Sequence, residues 1–247
     1  MLYCFRTILI LGETGTGKSS LCNVLAGRKP NSDLFPVSSG TVSCTQKNVY
    51  QQIPFGGDEK FYVTAIDTKG FNDSNETINM DVVAKFIASL RRRCVGVNVF
   101  GITIHESRLD GPIVEMMKLF GEMFGPNFWK HCILIFTKYS MDRKTLQKRK
   151  LNRGPNNEFA KTFVKKLSEQ LPCTESLPHI FLDTWYDEND RHETKCFQQD
   201  LGFLTNKLKN SIRLETARIT ENIRPEHHEL KEKVLEATKM MDEIHII

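Results

Sequence analysis

The sequence predicts an α/β fold with three layers, in which helices cover both faces of a mostly parallel sheet. The first observation behind this prediction is that short apolar runs recur along the 247-residue chain, separated by longer stretches with helical spacing. The second is a glycine-rich loop that joins the first apolar run directly to a helical pattern. With 40% hydrophobic residues, a chain of this length can bury one sizeable core, so we expect one main domain.

Five apolar runs have the length of strands. They lie at residues 7–11, 61–66, 97–104, 132–136 and 179–182. A weaker alternating segment at 46–53 is joined to the second run by the turn-rich link PFGGDEK, which predicts an antiparallel hairpin at the sheet edge. The predicted helices follow Lys18, Thr77, Pro112, Asn156 and Glu193. We expect the last of them to extend far beyond an ordinary helix and to be broken at Pro225.

The C-terminal segment carries its own helical pattern. Beyond the proline, apolar residues follow one another at spacings of three or four, with charges between them: Leu230, Val234, Ala237 and Met241. This predicts an amphipathic helix of about five turns. We therefore divide the chain into a main domain at 1–222 and a helical extension at 223–247. The apolar repeat spans few heptads, which favours packing of this helix on the domain over a coiled-coil arm.

Charge and cysteine usage narrow the function classes. The 34 basic and 30 acidic residues nearly offset each other, so no nucleic-acid partner is expected. The seven cysteines are scattered and form no CxxC pair, which indicates reduced thiols and a cytoplasmic location. No segment approaches eighteen uninterrupted apolar residues. We expect no transmembrane span, and peripheral membrane contact through a surface, a partner or a modification stays open.

The strongest motif is GETGTGKS at residues 12–19, which satisfies GxxxxGK[ST] where a strand runs into a helix. Glycines let backbone N–H groups turn inward around phosphate, and the helix N-terminus adds a favourable dipole. Lys18 supplies charge to the outer phosphates, and the hydroxyl of Ser19 is a ligand for Mg²⁺. The motif predicts a P-loop NTPase fold. Its candidate phosphate-binding residues are Gly12, Glu13, Thr14, Gly15, Thr16, Gly17, Lys18, Ser19 and Ser20.

A second phosphate-sensing motif, DTKG, ends the strand FYVTAID. We expect Asp67 to hold the metal and the amide of Gly70 to sense the terminal phosphate. Between the two motifs, Thr45 in SCTQ is the candidate first switch that closes on Mg²⁺ and the terminal phosphate. Other hydroxyl residues nearby leave the choice of Thr45 open on spacing alone: Ser38, Ser39, Thr41 and Ser43.

The strand CILIF leads into TKYS, which is close to the [NT]KxD signature that GTPases use for guanine. In that signature a carboxylate accepts hydrogen bonds from two N–H groups of the base, which an uncharged serine hydroxyl does less strongly. Thr137, Lys138 and Ser140 are the candidate base-side residues. Asp142, two residues further on, is an alternative carboxylate if the loop bends.

These motifs together resemble the AIG1-type GTPases, the GTPases of immunity-associated proteins, which are related to chloroplast import receptor GTPases and septins. The resemblance covers residues 8–182 and rests on GETGTGKSS, on a threonine ten residues after Phe35 and on DTKGFND in place of DTPGFxD. VNVFGITIHESRLD resembles the family segment xHAFLLVxxxGRFT, and LFGEMFGPNFWKHCILIFTK resembles its FGxxxxxxxIVLFT box. Two departures stand out, because Lys69 replaces the usual proline and Ser140 replaces the aspartate of T[RK]xD.

The resemblance implies an AIG1-type G domain that binds GTP and Mg²⁺, with Thr45 as the first switch and Asp67 and Gly70 as the second. It places the last base-contacting loop after the strand HIFLD, where Asp183, Thr184 and Trp185 are candidates. Trp185 could stack on a purine, and packing in the core or at its rim is the alternative.

The resemblance also bears on hydrolysis. Phe71 stands where small GTPases have the glutamine that orients water, which implies slow intrinsic hydrolysis unless dimerisation or a partner supplies the missing group. Arg108 matches the family's arginine and is a candidate for stabilising transition-state charge in a neighbouring subunit, against the alternative of an ordinary surface or interface arginine.

We therefore expect a GTP-binding protein that acts as a nucleotide-dependent switch or assembly GTPase and forms a homodimer or oligomer through its G domain. One alternative is a catalytically inert P-loop scaffold with weak or non-selective nucleotide binding. Another is an ATP-dependent phosphotransferase, for which the sequence shows no acceptor site. The basic segment at 143–153 is interpreted as a solvated loop or helix face rather than a site for acidic lipid or RNA.

Overall fold

The computed structural model describes residues 6–37, 48–70, 80–105, 111–153, 156–172, 177–217, 219–223 and 225–243. Its strands are β1 (Arg6–Leu11), β2 (Val49–Pro54), β3 (Tyr62–Asp67), β4 (Gly96–Val97), β5 (Val99–His105), β6 (Cys132–Thr137), β7 (His179–Phe181) and β8 (Leu214–Glu215). Its helices are α1 (Lys18–Leu25), α2 (Met80–Arg93), α3 (Gly111–Phe124), α4 (Phe128–His131), α5 (Arg143–Arg153), α6 (Asn156–Ser168), α7 (Arg191–Asn210), α8 (Ile219–Asn222) and α9 (His228–Glu243).

The central sheet has six strands in the order β2-β3-β1-β5-β6-β7. All neighbouring pairs are parallel except β2 and β3, which run antiparallel at the sheet edge. The predicted hairpin is therefore confirmed, with a 3₁₀ turn at Phe55–Gly57 between its strands. Because the other strands are parallel, their carboxyl ends all lie at one edge of the sheet.

Both faces of the sheet are buried, as expected for a three-layer fold. Alternate residues of β1 point into two different cores: Leu9 and Leu11 into one, Ile8 and Ile10 into the other. The first core is closed by apolar residues of α2, α3, α6 and α9. The second is closed by those of α1 and α7. The predicted mostly parallel α/β architecture is thus confirmed.

The apolar run at 97–104 forms two strands, whereas one was predicted. The break falls at Asn98, whose buried side chain accepts a hydrogen bond from the amide of Thr7 (2.9 Å) and donates one to the carbonyl of Ser211 (3.0 Å). These bonds separate β4 from β5. The apolar pattern continues through the break because Val97 and Val99 are both buried, so periodicity alone cannot reveal it.

Helix α7 ends at Asn210, so the prediction that it extends toward Pro225 is wrong. The carbonyl of Ser211, just beyond the helix, accepts hydrogen bonds from Arg6 (2.7 Å) and Asn98. The chain then forms β8, which pairs antiparallel with β4. Backbone groups beyond residue 210 therefore find partners outside the helix, which removes the advantage of continuing it.

The C-terminal helix α9 packs against α2. Leu230, Val234 and Ala237 are buried, while Met241 is only partly covered. An ion pair between Lys233 and Asp81 (2.6 Å) joins the exposed rims of the two helices. The packed arrangement is therefore the one observed, and the coiled-coil arm is not. The boundary between residues 222 and 223 stays a prediction.

Two further features bear on earlier expectations. In the ranges given above, no helix is both long and apolar enough to cross a bilayer. The four cysteines in those ranges, Cys22, Cys94, Cys132 and Cys196, are not joined to one another by disulfide bonds.

Candidate functional site

The glycine loop connects β1 to α1 at the carboxyl edge of the sheet. Gly15 and Gly17 have φ values of 80° and 86°, in the left-handed region that favours glycine. Gly17 is the N-cap of α1, and it makes no side-chain capping hydrogen bond. At position 12 a Cβ would lie 2.1 Å from the Oγ1 of Thr103, so only glycine fits against β5. The backbone therefore curls as an anion-binding loop does.

Threonine side chains hold this loop in shape. The hydroxyl of Thr16 donates to the carbonyl of Glu13 (2.8 Å) and lies 2.7 Å from that of Thr103. From the next strand, Thr137 donates to the carbonyl of Thr16. Thr16, Thr103 and Thr137 are all buried, so these hydrogen bonds help to hold the loop in shape, which lowers the cost of ordering it around a ligand.

Lys18 is buried and its Nζ donates to the carbonyl of Glu13 at 2.6 Å. The hydrogen bond folds the ammonium group back over the loop rather than out into solvent. Ser20, the last predicted loop residue, is also buried, whereas Glu13, Thr14 and Ser19 are partly exposed. The loop thus carries the positive charge of Lys18 at the N-terminus of α1, an arrangement that favours anion binding.

The two predicted metal ligands in the described part of the chain, Ser19 and Asp67, are hydrogen-bonded to each other. The hydroxyl of Ser19 donates to Oδ2 of Asp67 at 2.6 Å. Asp67 is completely buried, and its Oδ1 has no hydrogen-bond partner among the residues that the structure describes. Burial raises the pKa of this carboxyl to about 6, although Ser19 and Lys18 both act to lower it. A buried carboxylate oxygen beside a hydroxyl is a donor pair that suits Mg²⁺.

The second phosphate-sensing motif lies directly on the glycine loop. A Cβ at Gly70 would lie 2.1 Å from Oγ1 of Thr14 and 2.6 Å from its amide nitrogen, so the two backbones are in close contact. The amide of Lys69 donates to Oδ1 of Asn48 at 3.2 Å. A proline at position 69, which the family usually has, could not donate this bond. Sequence reasoning missed Asn48, whose only signal is its place three residues after Thr45.

Lys138 follows β6 and reaches back to the glycine loop. Its Nζ donates to the carbonyl of Gly15 at 2.7 Å, and its φ of 53° is left-handed. For a residue other than glycine this conformation is uncommon and costs energy, so surrounding contacts must hold it. Together with Thr137, this bond ties the predicted base-side segment to the phosphate-side loop.

Ser140 and Asp142 form a hydrogen-bonded pair. The hydroxyl of Ser140 lies 2.7 Å from Oδ2 of Asp142, and the amide of Asp142 lies 3.2 Å from the same hydroxyl. The other carboxylate oxygen accepts from the amide of Thr145 (2.9 Å) in the first turn of α5. Hydrogen bonds from Thr145 and Ser140 hold the pKa of Asp142 well below its ordinary value. Asp142 is thus fixed at the start of a helix, beside the serine that replaces the family aspartate.

The loop after β7 lies at the same carboxyl edge of the sheet as the segment after β6. The amide of Leu182 donates to the carbonyl of Phe136 in β6 (3.1 Å), which keeps the two strand ends side by side. Asp183 and Thr184 are buried, and Oδ1 of Asp183 accepts from the amide of Trp185 (3.0 Å). The indole of Trp185 is 66% exposed. This exposure excludes packing of the ring in the core, and packing at the rim of the core stays the alternative to stacking on a purine.

The candidates thus come together at the carboxyl ends of β1, β3, β6 and β7. Three predicted site residues, Thr45, Arg108 and the hydrolysis-related Phe71, lie outside the described ranges. The same holds for the alternative switch hydroxyls at 38–43. The basic segment is a helix, α5, and its described cations, Arg143, Lys144 and Lys148, are exposed.

Comparison with known proteins decides the family. The model of the AIG1 family matches residues 6–170, which is more than half of the chain. The chain belongs to the AIG1 family. The resemblance drawn from its motifs is confirmed.

The curated relatives match about half of this chain. GTP-binding protein A of Dictyostelium discoideum is 32% identical over 135 residues, which are 53% of this chain and 27% of that protein. Immune-associated nucleotide-binding protein 9 of Arabidopsis thaliana is 26% identical over 137 residues, 53% of this chain and 36% of that protein. The match therefore spans only about a third of these relatives.

Solved structures show the same fold. Toc33 of Arabidopsis thaliana in complex with GDP and Mg²⁺ has a TM-score of 0.63 and 17% identity, covering 85% of this chain and 87% of its own. A second solved structure has a TM-score of 0.59 and 17% identity, and it covers 85% of this chain and 86% of its own. Its description states that dimerization is important for the GTPase activity of the chloroplast translocon components atToc33 and psToc159. At this identity the likeness concerns the fold.

Proposed function

We propose that this AIG1-family chain binds GTP with Mg²⁺ and acts as a nucleotide-dependent switch or assembly GTPase whose intrinsic hydrolysis is slow. The observation that carries the proposal is the hydrogen bond between Ser19, at the start of α1, and the buried Asp67, 2.6 Å long. The relatives support it, because one is named a GTP-binding protein and Toc33 was crystallised with GDP and Mg²⁺.

The donor set fits a magnesium ion. Ser19 offers a hydroxyl, and Asp67 offers a carboxylate whose second oxygen is buried without a described partner. These two residues would hold Mg²⁺, with Thr45 as the predicted third ligand. When bound, Mg²⁺ neutralises negative charge on phosphate oxygens. The cost of keeping Asp67 ionised in a buried position is then offset by a cation, as is usual for buried carboxylates.

The chain's own groups would bind the phosphates. Loop residues 13–19 present backbone amides at the N-terminus of α1, where the helix dipole favours negative charge. Lys18 lies folded over the same loop, so a short movement of its Nζ from the carbonyl of Glu13 brings a full positive charge to a phosphate. Lys138 would cover the loop from the base side.

Switching would use the contact between Gly70 and Thr14. In our proposal the terminal phosphate orders Gly70 and Thr45, and their release after hydrolysis alters a surface used for self-association. Because Gly70 is in close contact with Thr14 of the glycine loop, a phosphate bound in the loop would act directly on the position of Gly70. Slow hydrolysis follows from Phe71, which cannot orient water, and the reported importance of dimerization for GTPase activity in the Toc proteins supports assembly through the G domain.

We also propose a reducing, cytoplasmic setting, which is supported by the four described cysteines, since they form no disulfide with one another.

Paired titrations test the function. Purified protein is titrated with labelled GTP and with labelled ATP, each with and without Mg²⁺, and its mass is then determined in each state. We expect tighter binding of GTP, a gain from Mg²⁺ and a larger mass in the GTP state. Equal affinities would support the non-selective scaffold, and transfer of phosphate to an acceptor other than water would support a phosphotransferase.

A further inference from the structure

The positive charge of the chain is concentrated in two consecutive helices, α5 and α6. Residues 143–168, which span both helices, contain nine basic residues and one acidic residue. Their formal charge is therefore +8, whereas the whole chain carries +4, so the remaining residues together are net negative. Counting the acidic residues that border the two helices, Asp142 and Glu169, lowers the charge of the segment only to +6. The mild charge of the whole chain thus conceals a strongly basic segment.

Both helices present cations to solvent. On α6 the apolar side chains lie in the core, and the lysines are exposed: Lys161, Lys165 and Lys166. Glu158 is the one acidic residue of this helix. Helix α5 contacts α6 and has exposed cations of its own, Arg143, Lys144 and Lys148. These six cations form one surface, which we call the basic face.

The charge of the basic face is not used inside the fold. None of its six cations forms an ion pair with another residue in the ranges that the structure describes. Along α5 the sequence RKTLQKRKLNR contains no acidic residue at all, so its cations have no carboxylate on their own helix. The basic face therefore carries a surplus of positive charge toward any anionic partner outside the chain.

The composition of the segment favours a lipid surface over a nucleic acid. Six of the nine basic residues are lysines, and clusters of this size and composition on a helix are typical of binding to acidic lipids. Binding of single-stranded nucleic acid uses aromatic side chains that stack on bases. The segment has no tyrosine or tryptophan, and Phe163 is buried.

The same composition indicates how deep such a contact reaches. Helix α5 has only two apolar residues among its eleven, and Leu146 is already partly buried. Helices that enter the acyl region of a bilayer need an apolar face to bury there. The basic face offers none, so its contact would stay at the level of the lipid head groups.

We propose that the basic face of α5 and α6 binds the surface of a membrane that contains acidic lipids, by charge alone and without insertion. The sequence alone favours a solvated face for residues 143–153. The lysines of α6 change this interpretation, because only the folded chain places them beside α5. A flat anionic surface engages several cations together, and each is worth about a fivefold gain in affinity. The inference goes beyond the proposed function and does not depend on it.

Flotation with vesicles measures this binding directly. The protein is mixed with vesicles of equal parts phosphatidylcholine and phosphatidylserine, or of phosphatidylcholine alone. We expect binding to the acidic vesicles and none to the neutral ones. Raising the salt concentration from about 0.1 M to about 1 M shortens the range of electrostatic attraction from about 10 Å to about 3 Å, and should release the protein.

Two variants with the same net charge locate the contact. The first replaces lysines of the basic face: Lys144→Gln, Lys148→Gln, Lys161→Gln and Lys165→Gln. The control replaces exposed lysines elsewhere in the fold: Lys29→Gln, Lys60→Gln, Lys118→Gln and Lys239→Gln. We expect the first to lose at least about thirtyfold in affinity for acidic vesicles and the control to lose less than about fivefold. Because all eight side chains are exposed, both variants should keep the melting temperature and the GTP affinity of the wild type.

The other outcomes overturn the proposal in distinguishable ways. Equal losses in the two variants would mean that net charge is responsible and not the basic face. Binding that persists at about 1 M salt would contradict a purely electrostatic contact. Failure of the wild type to bind acidic vesicles would overturn the proposal outright. In a competition assay, single-stranded RNA that displaces the protein from acidic vesicles at equal phosphate concentration would replace the membrane by a nucleic acid as the partner.

Discussion

The hydroxyl of Ser19 donates a 2.6 Å hydrogen bond to Asp67, joining the glycine loop to the end of β3. The bond brings together two motifs that are 48 residues apart in the chain. It leaves the other oxygen of Asp67 buried without a partner in the described ranges. A buried carboxylate in this state is costly unless a cation compensates for it. This relationship is the structural basis for proposing a magnesium site.

Replacing Asp67 by asparagine should uncouple nucleotide binding from the metal. We expect the gain in GTP affinity on adding Mg²⁺ to fall at least tenfold, the range seen when metal sites lose a supporting group. Binding without Mg²⁺ should change little. Asp58→Asn, at an exposed turn, is the control and should keep the full gain. A normal Mg²⁺ effect in Asp67→Asn would rule out this carboxylate as a ligand.

Gly70→Ala should disturb the glycine loop. The new Cβ would lie within 3 Å of the amide nitrogen and Cα of Thr14, so backbone must move and not just a side chain. We expect a loss of about 1–3 kcal/mol in the free energy of unfolding, together with weaker GTP binding. Gly202→Ala is the matched control: it lies in α7 with nothing within 4 Å of the added atom, and alanine there should stabilise by about 0.5–1 kcal/mol. Urea unfolding measures both.

Leu230→Ala tests whether α9 is part of the folded core. Leu230 is 2% exposed, whereas Leu235 on the same helix is 45% exposed. Removing the buried side chain should cost about 2–4 kcal/mol in the free energy of unfolding. Leu235→Ala should stay within about 0.5 kcal/mol of wild type. Similar losses for the two variants in chemical denaturation would mean that α9 does not pack on α2.

Asp200 predicts a dependence of stability on pH. Its Oδ2 accepts from the amide of Phe181 at 3.1 Å on the edge strand β7, and burial raises its pKa from 3.8 to about 6. Between these values the folded protein binds the proton more tightly than the unfolded chain does. Stability should therefore fall as pH rises through this window.

Asp200→Asn isolates this effect, because the amide oxygen can still accept from Phe181. At pH 7 the variant should be more stable than wild type by about 1 kcal/mol, allowing for solvent screening at a half-buried site. The advantage should shrink by pH 5. Only the difference between the two proteins is diagnostic, since the pKa of Asp67 is also raised to about 6. A constant difference at both values of pH would contradict the prediction.

The main architecture could be predicted because apolar runs, turn residues and the glycine loop each specify local structure strongly. The parallel sheet and the hairpin follow from such patterns. The division between β4 and β5 could not be foreseen, because it depends on hydrogen bonds between Asn98 and two residues far away in sequence, Thr7 and Ser211. The end of α7 has the same kind of cause: Arg6 and β4 bind the chain beyond Asn210.

The site was predictable where a motif fixes the chemistry. Lys18, Ser19 and Asp67 follow from their motifs, and the structure brings them together. Asn48 and the pairing of Ser140 with Asp142 have no such signal, because both depend on how loops bend after their strands end. Loop geometry of this kind is set by tertiary contacts rather than by local propensity.

Phosphate binding by residues 12–19 is tested by a calorimetric titration of Mg²⁺ and GTP into wild-type protein and Lys18→Ala, side by side under the same conditions. Removing a buried, charge-assisted phosphate contact should weaken binding at least tenfold. We expect saturable binding to the wild type and weak or undetectable binding to the variant at an unchanged melting temperature. Full GTP affinity in Lys18→Ala would contradict the assignment of residues 12–19 as the phosphate-binding loop.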